Sequence, residues 1–360
     1  MQNPIFMKRT FTLFTFFFIV VLAQAQRVDL DKFNFSVSYR NFPAEPLPQA
    51  YKTYNIRIEA APSLGIGYSA SNLTNEIMIE GLKKTEGTGH ITVLLILDDL
   101  VFERSEGKER IQISKDRQGI ETKRSFFSTE LIYSFSARAS VYDYKGTTLI
   151  SSKILFDREQ KRTYKTSEFN SQAEATDYYT NKGGELKYNL GKQLTAGVVQ
   201  QLNAWLNSQY GYPVQRINDI LWVLNNKRHA AYSEHQKAWN DFKNAVVLIN
   251  ADNPVSKVKE KMKPVIDFYE KVKKQYTTAD KDDRKLRYSA YYNLAKIYLY
   301  LDEPEKAKAE ADALAMNDYD ERDGAYLRSM AESLEEMLRK NNASSRHFAV
   351  NTIAYEPPVK

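Results

Sequence analysis

Asp98 and Asp99 sit near the end of the apolar run HITVLLILDDLVF, and Glu103 follows shortly after. A carboxylic acid in apolar surroundings has a raised pKa and can act as a general acid, the chemistry of glycan or peptide hydrolysis. Neighbouring residues of a strand point to opposite faces, so Asp98 and Asp99 cannot work together on one bond. A strand end or a bulge accounts for both. The four histidines are His90, His229, His235 and His347. None has the spacing of a metal site, and His229 and His235 would point to different faces of one helix. GIGYSA at 65–70 fits a loose dinucleotide pattern but opens no helix, EGTGH lacks the lysine and hydroxyl of a phosphate loop, and no Gly-x-Ser-x-Gly elbow occurs. The expected catalytic set, metal and cofactor are therefore none.

The elements that would position such groups change character along the chain. From 33 to 156 apolar residues alternate. FNFSVSYR places Phe33, Phe35, Val37 and Tyr39 on one strand face, and TYNIRIEA does the same with Tyr54, Ile56 and Ile58. The near-continuous ITVLLIL predicts a central strand covered on both faces. Residues 131–155 predict a hairpin turning at DYKG. Then Leu186, Leu190, Leu194, Val198, Leu202 and Leu206 recur every four residues, and Gly211 closes a long helix.

Beyond Pro213 the reading is wholly helical. Val214, Ile217, Leu221 and Leu224 make one stripe; Ala238, Phe242, Ala245 and Ile249 make another. Asn253 and Pro254 look like the start of a helix whose seam runs from Val255 to Tyr276, with a kink or break expected at Pro264. The expected fold class is α+β: an N-terminal antiparallel β-rich domain closed by a long helix, then an all-α domain of helical hairpins. The expected divisions are 1–25, an export signal; 26–211, the β-rich domain; 212–340, the helical domain; and 341–360, a flexible tail.

Residues 290–314, AYYNLAKIYLYLDEPEKAKAEADAL, put Tyr291, Leu294, Ala295, Tyr298 and Leu301 on one helix face, with Ala307, Ala311 and Leu314 facing back from a second helix. The stretch resembles a tetratricopeptide repeat. Tyr291 stands at the family's tryptophan position, Leu294 at its leucine, Ala295 at its glycine, Tyr298 at its tyrosine and Ala307 at the second-helix alanine. Ala311, Leu314 and Tyr319 depart from the pattern, and one repeat of about 34 residues is covered. The resemblance implies a concave surface for extended peptides, which would be lined by Tyr292, Asn293, Lys296 and Tyr300. On residue pattern alone, the same four are the solvent-facing side of an amphipathic helix.

Lys8 and Arg9 precede the apolar run FTLFTFFFIVVL, and AQA follows, the layout of a cleaved export signal with the mature chain starting at Gln26. The signal resembles those of Bacteroidota envelope proteins. The run is too short for a spanning helix, which needs about 20 residues, and no later segment qualifies. Cysteine is absent, which removes thiolate zinc sites and a lipid-anchored N-terminus. Signal removal lowers the net charge of +6 by two, a small excess for a nucleic-acid binder. The reading that follows is a periplasmic or outer-envelope protein, not a lipoprotein, that acts as a protein-binding scaffold or accessory subunit. Its partner is another protein or peptide of the envelope, not nucleic acid. A hydrolase of envelope glycan or peptide using Asp98 or Glu103 is the alternative.

Overall fold

The structure is a computed structural model that describes residues 27–65 and 70–359. The expected signal at 1–25 and residues 66–69 of GIGYSA lie outside the described residues. Along the chain run β1 (Leu30–Arg40), β2 (Thr53–Ala60), the short α1 (Pro62–Gly65) and α2 (Ala70–Glu76), β3 (Lys83–Lys84), β4 (Ile91–Leu97), β5 (Val101–Lys115) and β6 (Glu121–Ser134). Then come β7 (Ala137–Asp143), β8 (Thr148–Phe156), β9 (Arg162–Lys165), α3 (Gln172–Tyr210) and β10 (Val214–Leu224). Helices α4 (Tyr232–Val246), α5 (Ser256–Gln275), α6 (Lys281–Tyr300), α7 (Pro304–Ala315) and α8 (Glu321–Lys340) follow. The chain is α+β and divides into two units. The sheet unit holds Phe42–Pro213 and the residues from Val350 onward; the helical unit holds the described residues up to Asn41 and Val214–Ala349.

In the sheet unit the strand order is β3-β2-β4-β7-β8, so ITVLLIL is central as the apolar run predicts. The sheet is mixed: β2 runs parallel to β3 and β4, while β4, β7 and β8 are antiparallel neighbours. Ile91, Val93, Leu95 and Leu97 are fully buried, whereas Thr92, Leu94 and Ile96 on the other face are half-buried. The β7–β8 turn forms where DYKG places it. Asp143 accepts hydrogen bonds from the backbone N–H groups of Lys145 and Thr147, and Gly146 takes the positive φ of 88° that glycine adopts without strain.

Helix α3 carries the expected leucine stripe into this core. It starts upstream of the stripe because Ser171 caps it: the hydroxyl accepts from Glu174 N–H at 3.2 Å. Two asparagines on α3 clasp the segment after α2. Asn203 bonds Met78 N and Glu76 O, and Asn207 bonds Glu80 N and Met78 O, so their carboxamides stand in for a strand neighbour. Strands β5, β6 and β9 form a separate three-stranded sheet whose far half is a two-stranded arm. Between the base of the arm and the first turns of α3 lies a cleft of about 250 Å3, lined by Gly107, Glu109, Phe127, Thr129, Thr176 and Tyr179 among others.

The helical unit departs from the sequence expectation at its start. Residues 214–224 are a strand, not a helix, and β10 pairs antiparallel with β1 over its whole length, from Leu30 opposite Leu224 to Arg40 opposite Val214. FNFSVSYR is thus a strand of the helical unit rather than of the β-rich domain. The physical reason is burial: Phe35 and Val37 on β1 and Leu221 and Val223 on β10 need an apolar partner, and α4 and α6 supply it. The ring of Phe35 meets Phe242 of α4 and Tyr300 of α6 edge-on, at 5.1 and 5.6 Å. Helix α5 begins at Ser256 and runs unbroken through Pro264.

Helices α6 and α7 form the expected hairpin, with Leu294, Ala295, Ala307 and Ala311 all buried at the crossing. Helices α7 and α8 also approach closely, at Gly324. A Cβ at Gly324 would lie 2.8 Å from Ala315 N and 2.9 Å from Ala311 O, backbone atoms that cannot turn aside. Alanine normally gains about 1 kcal/mol over glycine inside a helix. Gly324→Ala is nonetheless expected to lower stability by about 1–3 kcal/mol through overpacking, measured as a fall in the urea midpoint of the helical unit.

The tail is not free. Arg346 and His347 are buried in the helical unit, and Lys83 Nζ donates to the carbonyls of Ile353 and Tyr355 in the sheet unit.

Candidate functional site

Tyr292, Asn293, Lys296 and Tyr300 share one side of α6, as the helical spacing requires, but that side is covered. β10 lies across it. The Asn293 carboxamide accepts from Trp222 N–H at 2.9 Å and donates to Trp222 O at 2.8 Å, closing the strand backbone as a neighbouring strand would. Lys296 Nζ lies 2.8 Å from Asp219 Oδ2, and the Tyr300 hydroxyl donates to the same oxygen. Lys296 is only 3 % exposed and Asn293 is fully buried, so neither is available to an outside peptide. The extended segment held where the tetratricopeptide resemblance puts a ligand is the chain's own β10. Burial, with Asp219 beside it, pushes the Tyr300 phenol far above its ordinary value of 10.0, which keeps the proton on the bond to Asp219.

Next to this clasp is a row of aromatic rings that sequence reading did not assemble. Trp222 of β10 stands 6.1 Å from Tyr288 and 6.2 Å from Tyr292, and those two tyrosines are 6.1 Å apart. Tyr288 also meets Tyr319 at 5.1 Å, and its hydroxyl donates to Asp323. Lys296 Nζ lies between the rings of Tyr292 and Tyr326, at 5.7 and 5.6 Å, a cation bracketed by π faces. Lys32 Nζ approaches the face of Trp222 at 5.4 Å. The inner rings form a floor; Tyr326 at 58 % and Tyr319 at 37 % exposure form an accessible rim. Burial raises the pKa of Tyr288 and Tyr292, so their hydroxyls stay neutral. The i, i+4 spacing of Tyr288 and Tyr292 is a visible signal in the sequence; Trp222 is not, because its segment has a helical period.

No protein-family model and no curated protein matches this chain.

Asp98 and Glu103, the carboxylates singled out from the sequence, are each tied to a cation. Asp98 lies just past β4, accepts from Ser136 Oγ and stands 3.4 Å from Arg138. Glu103 lies where the β5–β6 register shifts, and Lys161 pairs with it. The hydrogen bond from Lys161 holds the Glu103 carboxyl below its ordinary value, opposite to the raised pKa that a general acid needs. Among the histidines, His90 Nδ1 shares a hydrogen bond with Thr53 Oγ1 at 2.8 Å, and His229 packs on the ring of Tyr276. Among the described residues no three histidine, aspartate or glutamate side chains gather to hold a metal ion, and no described helix is long and apolar enough to cross a membrane.

Proposed function

We propose that this protein is an exported component of a bacterial cell envelope that binds another protein, as a scaffold or accessory subunit, through the aromatic rim of its helical unit. The observation that carries this reading is the cluster of Trp222, Tyr288, Tyr292 and Tyr319, to which Tyr326 is joined across the Lys296 ammonium, with Tyr319 and Tyr326 exposed. Tyrosine and tryptophan combine large contact area with few rotatable bonds and a polar tip, and they dominate the energetic centres of protein interfaces. The tetratricopeptide-like hairpin supports the same role, with one change: its inner face is taken by β10, so the docking surface is the rim beside the strand. The export reading rests on the basic start, the apolar run and the small residues before Gln26.

A photo-crosslinking residue placed at Tyr326 in the producing cell is expected to give a discrete adduct from the envelope fraction, on a chain that begins at Gln26. Replacing both Tyr319 and Tyr326 with serine should cut the co-purified partner at least tenfold, the effect of losing a binding centre worth about 2 kcal/mol. The lost ring contact of Tyr319 with Tyr288 should lower the folding midpoint only by the equivalent of about 1 kcal/mol, leaving the unit folded. An adduct no stronger than from a site on the outer face of α5, or retention of the partner by the double variant, rules the reading out.

A further inference from the structure

We propose that the arm formed by β5 and β6 is an anchor for an anionic bilayer surface. Strand β9 pairs with only Glu130–Tyr133 of β6, and beyond Phe127 the two strands continue as a bare ribbon. Residues 107–124 are all exposed. A two-stranded ribbon without a covering layer is marginal by itself and ordinarily carries polar side chains on both faces. This one carries Ile111, Ile113 and Ile120, at 57, 55 and 60 % exposure. They sit close to a firm turn. Asp116 Oδ1 accepts from the N–H groups of Gln118 and Ile120, and Gly119 takes a φ of 82°.

The charges of the arm divide into spent and unneutralised. Arg110 is paired with Glu168 at 2.7 Å and Lys115 with Glu121 at 3.0 Å, while the Asp116 carboxylate is used by the turn. Arg117, Lys123 and Arg124 remain without an ion-pair partner among the described residues, and the Arg124 guanidinium rests over the ring of Phe126 at 5.9 Å with its charge still unneutralised. Lys123 stands directly opposite Ile113 in the ladder. Three cations without an anionic partner, interleaved with three exposed isoleucines, complement a surface that has anionic groups outside and an apolar layer beneath. The two faces decide between a bilayer and a protein groove. Ile111 and Ile113 share one face of the ribbon, whereas Ile120, which pairs at the turn with Asp116, falls on the other. A one-sided protein groove buries one set and leaves the other wet; the interfacial layer of a membrane surrounds the tip on every side. Glu109, on the same face as Ile111 but farther from the turn, marks where the arm returns to water.

The test is co-flotation of the full chain with vesicles of phosphatidylglycerol and phosphatidylcholine, against phosphatidylcholine alone. The chain is expected to partition at least tenfold more strongly to the anionic vesicles and to lose that preference in 0.5 M salt, following the screening of exposed charges. Arg117→Gln, Lys123→Gln and Arg124→Gln together should weaken partition by about a hundredfold, roughly fivefold for each cation. Ile111→Ser, Ile113→Ser and Ile120→Ser together should abolish it while leaving the thermal midpoint nearly unchanged, because all three side chains are exposed and lie outside the hydrophobic core. Ile113→Trp supplies a direct reading: its fluorescence should shift to the blue on adding anionic vesicles. Equal flotation by wild type and both triple variants, no preference for the anionic vesicles, no blue shift, or capture of the arm by an acidic peptide with no vesicle binding would each overturn the proposal.

Discussion

Replacing Asp302 with asparagine is expected to destabilise the helical unit by about 3 kcal/mol or more, the usual cost of removing one partner of a buried ion pair. Asp302 follows α6 in the left-handed conformation, with φ of 55°. Its carboxylate collects the tail: Arg346 Nε at 2.7 Å, Arg346 N–H at 2.6 Å and Ser345 Oγ at 2.8 Å. Arg346 is itself buried, donates to Leu299 O at 2.6 Å and lies over the ring of Tyr39. Asparagine tolerates the left-handed backbone and keeps the shape, so the loss isolates the charge. What remains is a guanidinium without its anion in a dry site. Arg346→Met alone should cost a similar amount by stranding the carboxylate, while Asp302→Asn with Arg346→Met should be much less damaging than the sum of the two. Urea unfolding followed by far-ultraviolet circular dichroism gives all three values. Equal additive losses would mean that the pair is not coupled.

This network fixes Ser345 and Arg346, in the first part of the segment that the sequence presents as a flexible tail. Ser345, Arg346 and His347 are polar or charged, the composition of a loose tail, and nothing local announces that Asp302 more than forty positions away will neutralise them. A still greater separation hid the pairing of β1 with β10. Val214, Ile217, Leu221 and Leu224 step by three and four, which is a helix pattern; the strand forms because its ladder partner is β1, almost two hundred residues upstream. Pairing at that separation has no signature in one sequence. Where contacts are local the reading held. The β7–β8 hairpin turns at Asp143–Gly146, the leucine stripe of α3 is buried, and the α6–α7 crossing packs on its alanines. The β5–β6 arm gave no periodic signal because neither of its faces is buried.

The candidate surface was legible in part. The side of α6 that the tetratricopeptide resemblance singles out holds an extended segment, β10. The resemblance could not reveal that the segment belongs to the chain itself, or that Asn293, Lys296 and Tyr300 would be consumed in holding it. Tyr292 alone of the four both packs on Trp222 and borders the rim. The helix pattern assigned to 214–224 removed Trp222 from consideration and, with it, the aromatic floor it forms with Tyr288 and Tyr292.

A second large effect is expected on acidification, and its source is His235. The ring is fully buried in α4, meets Phe268 and Tyr269 edge-on, and has no hydrogen-bond partner at either nitrogen. Burial pulls its pKa from the ordinary 6.5 down to about 4. The unfolded chain therefore takes up a proton between pH 6.5 and 4 that the folded chain refuses, so stability is complete above 6.5 and falls as the pH drops through that window. The loss by pH 4 amounts to about 3 kcal/mol for this one group. His229 and His347, both lowered by burial, fall in the same direction, so the wild-type curve contains more than one titration. His235→Leu separates them. It removes two unpaired polar atoms and keeps the volume apolar, so stability at pH 7.5 should hold or rise. The fall in urea midpoint between pH 7.5 and 4.5 should then shrink by the equivalent of about 2–3 kcal/mol. An acid loss as steep in His235→Leu as in the wild type would place the sensitive proton elsewhere, with His347 beside Asp302 the next side chain to replace.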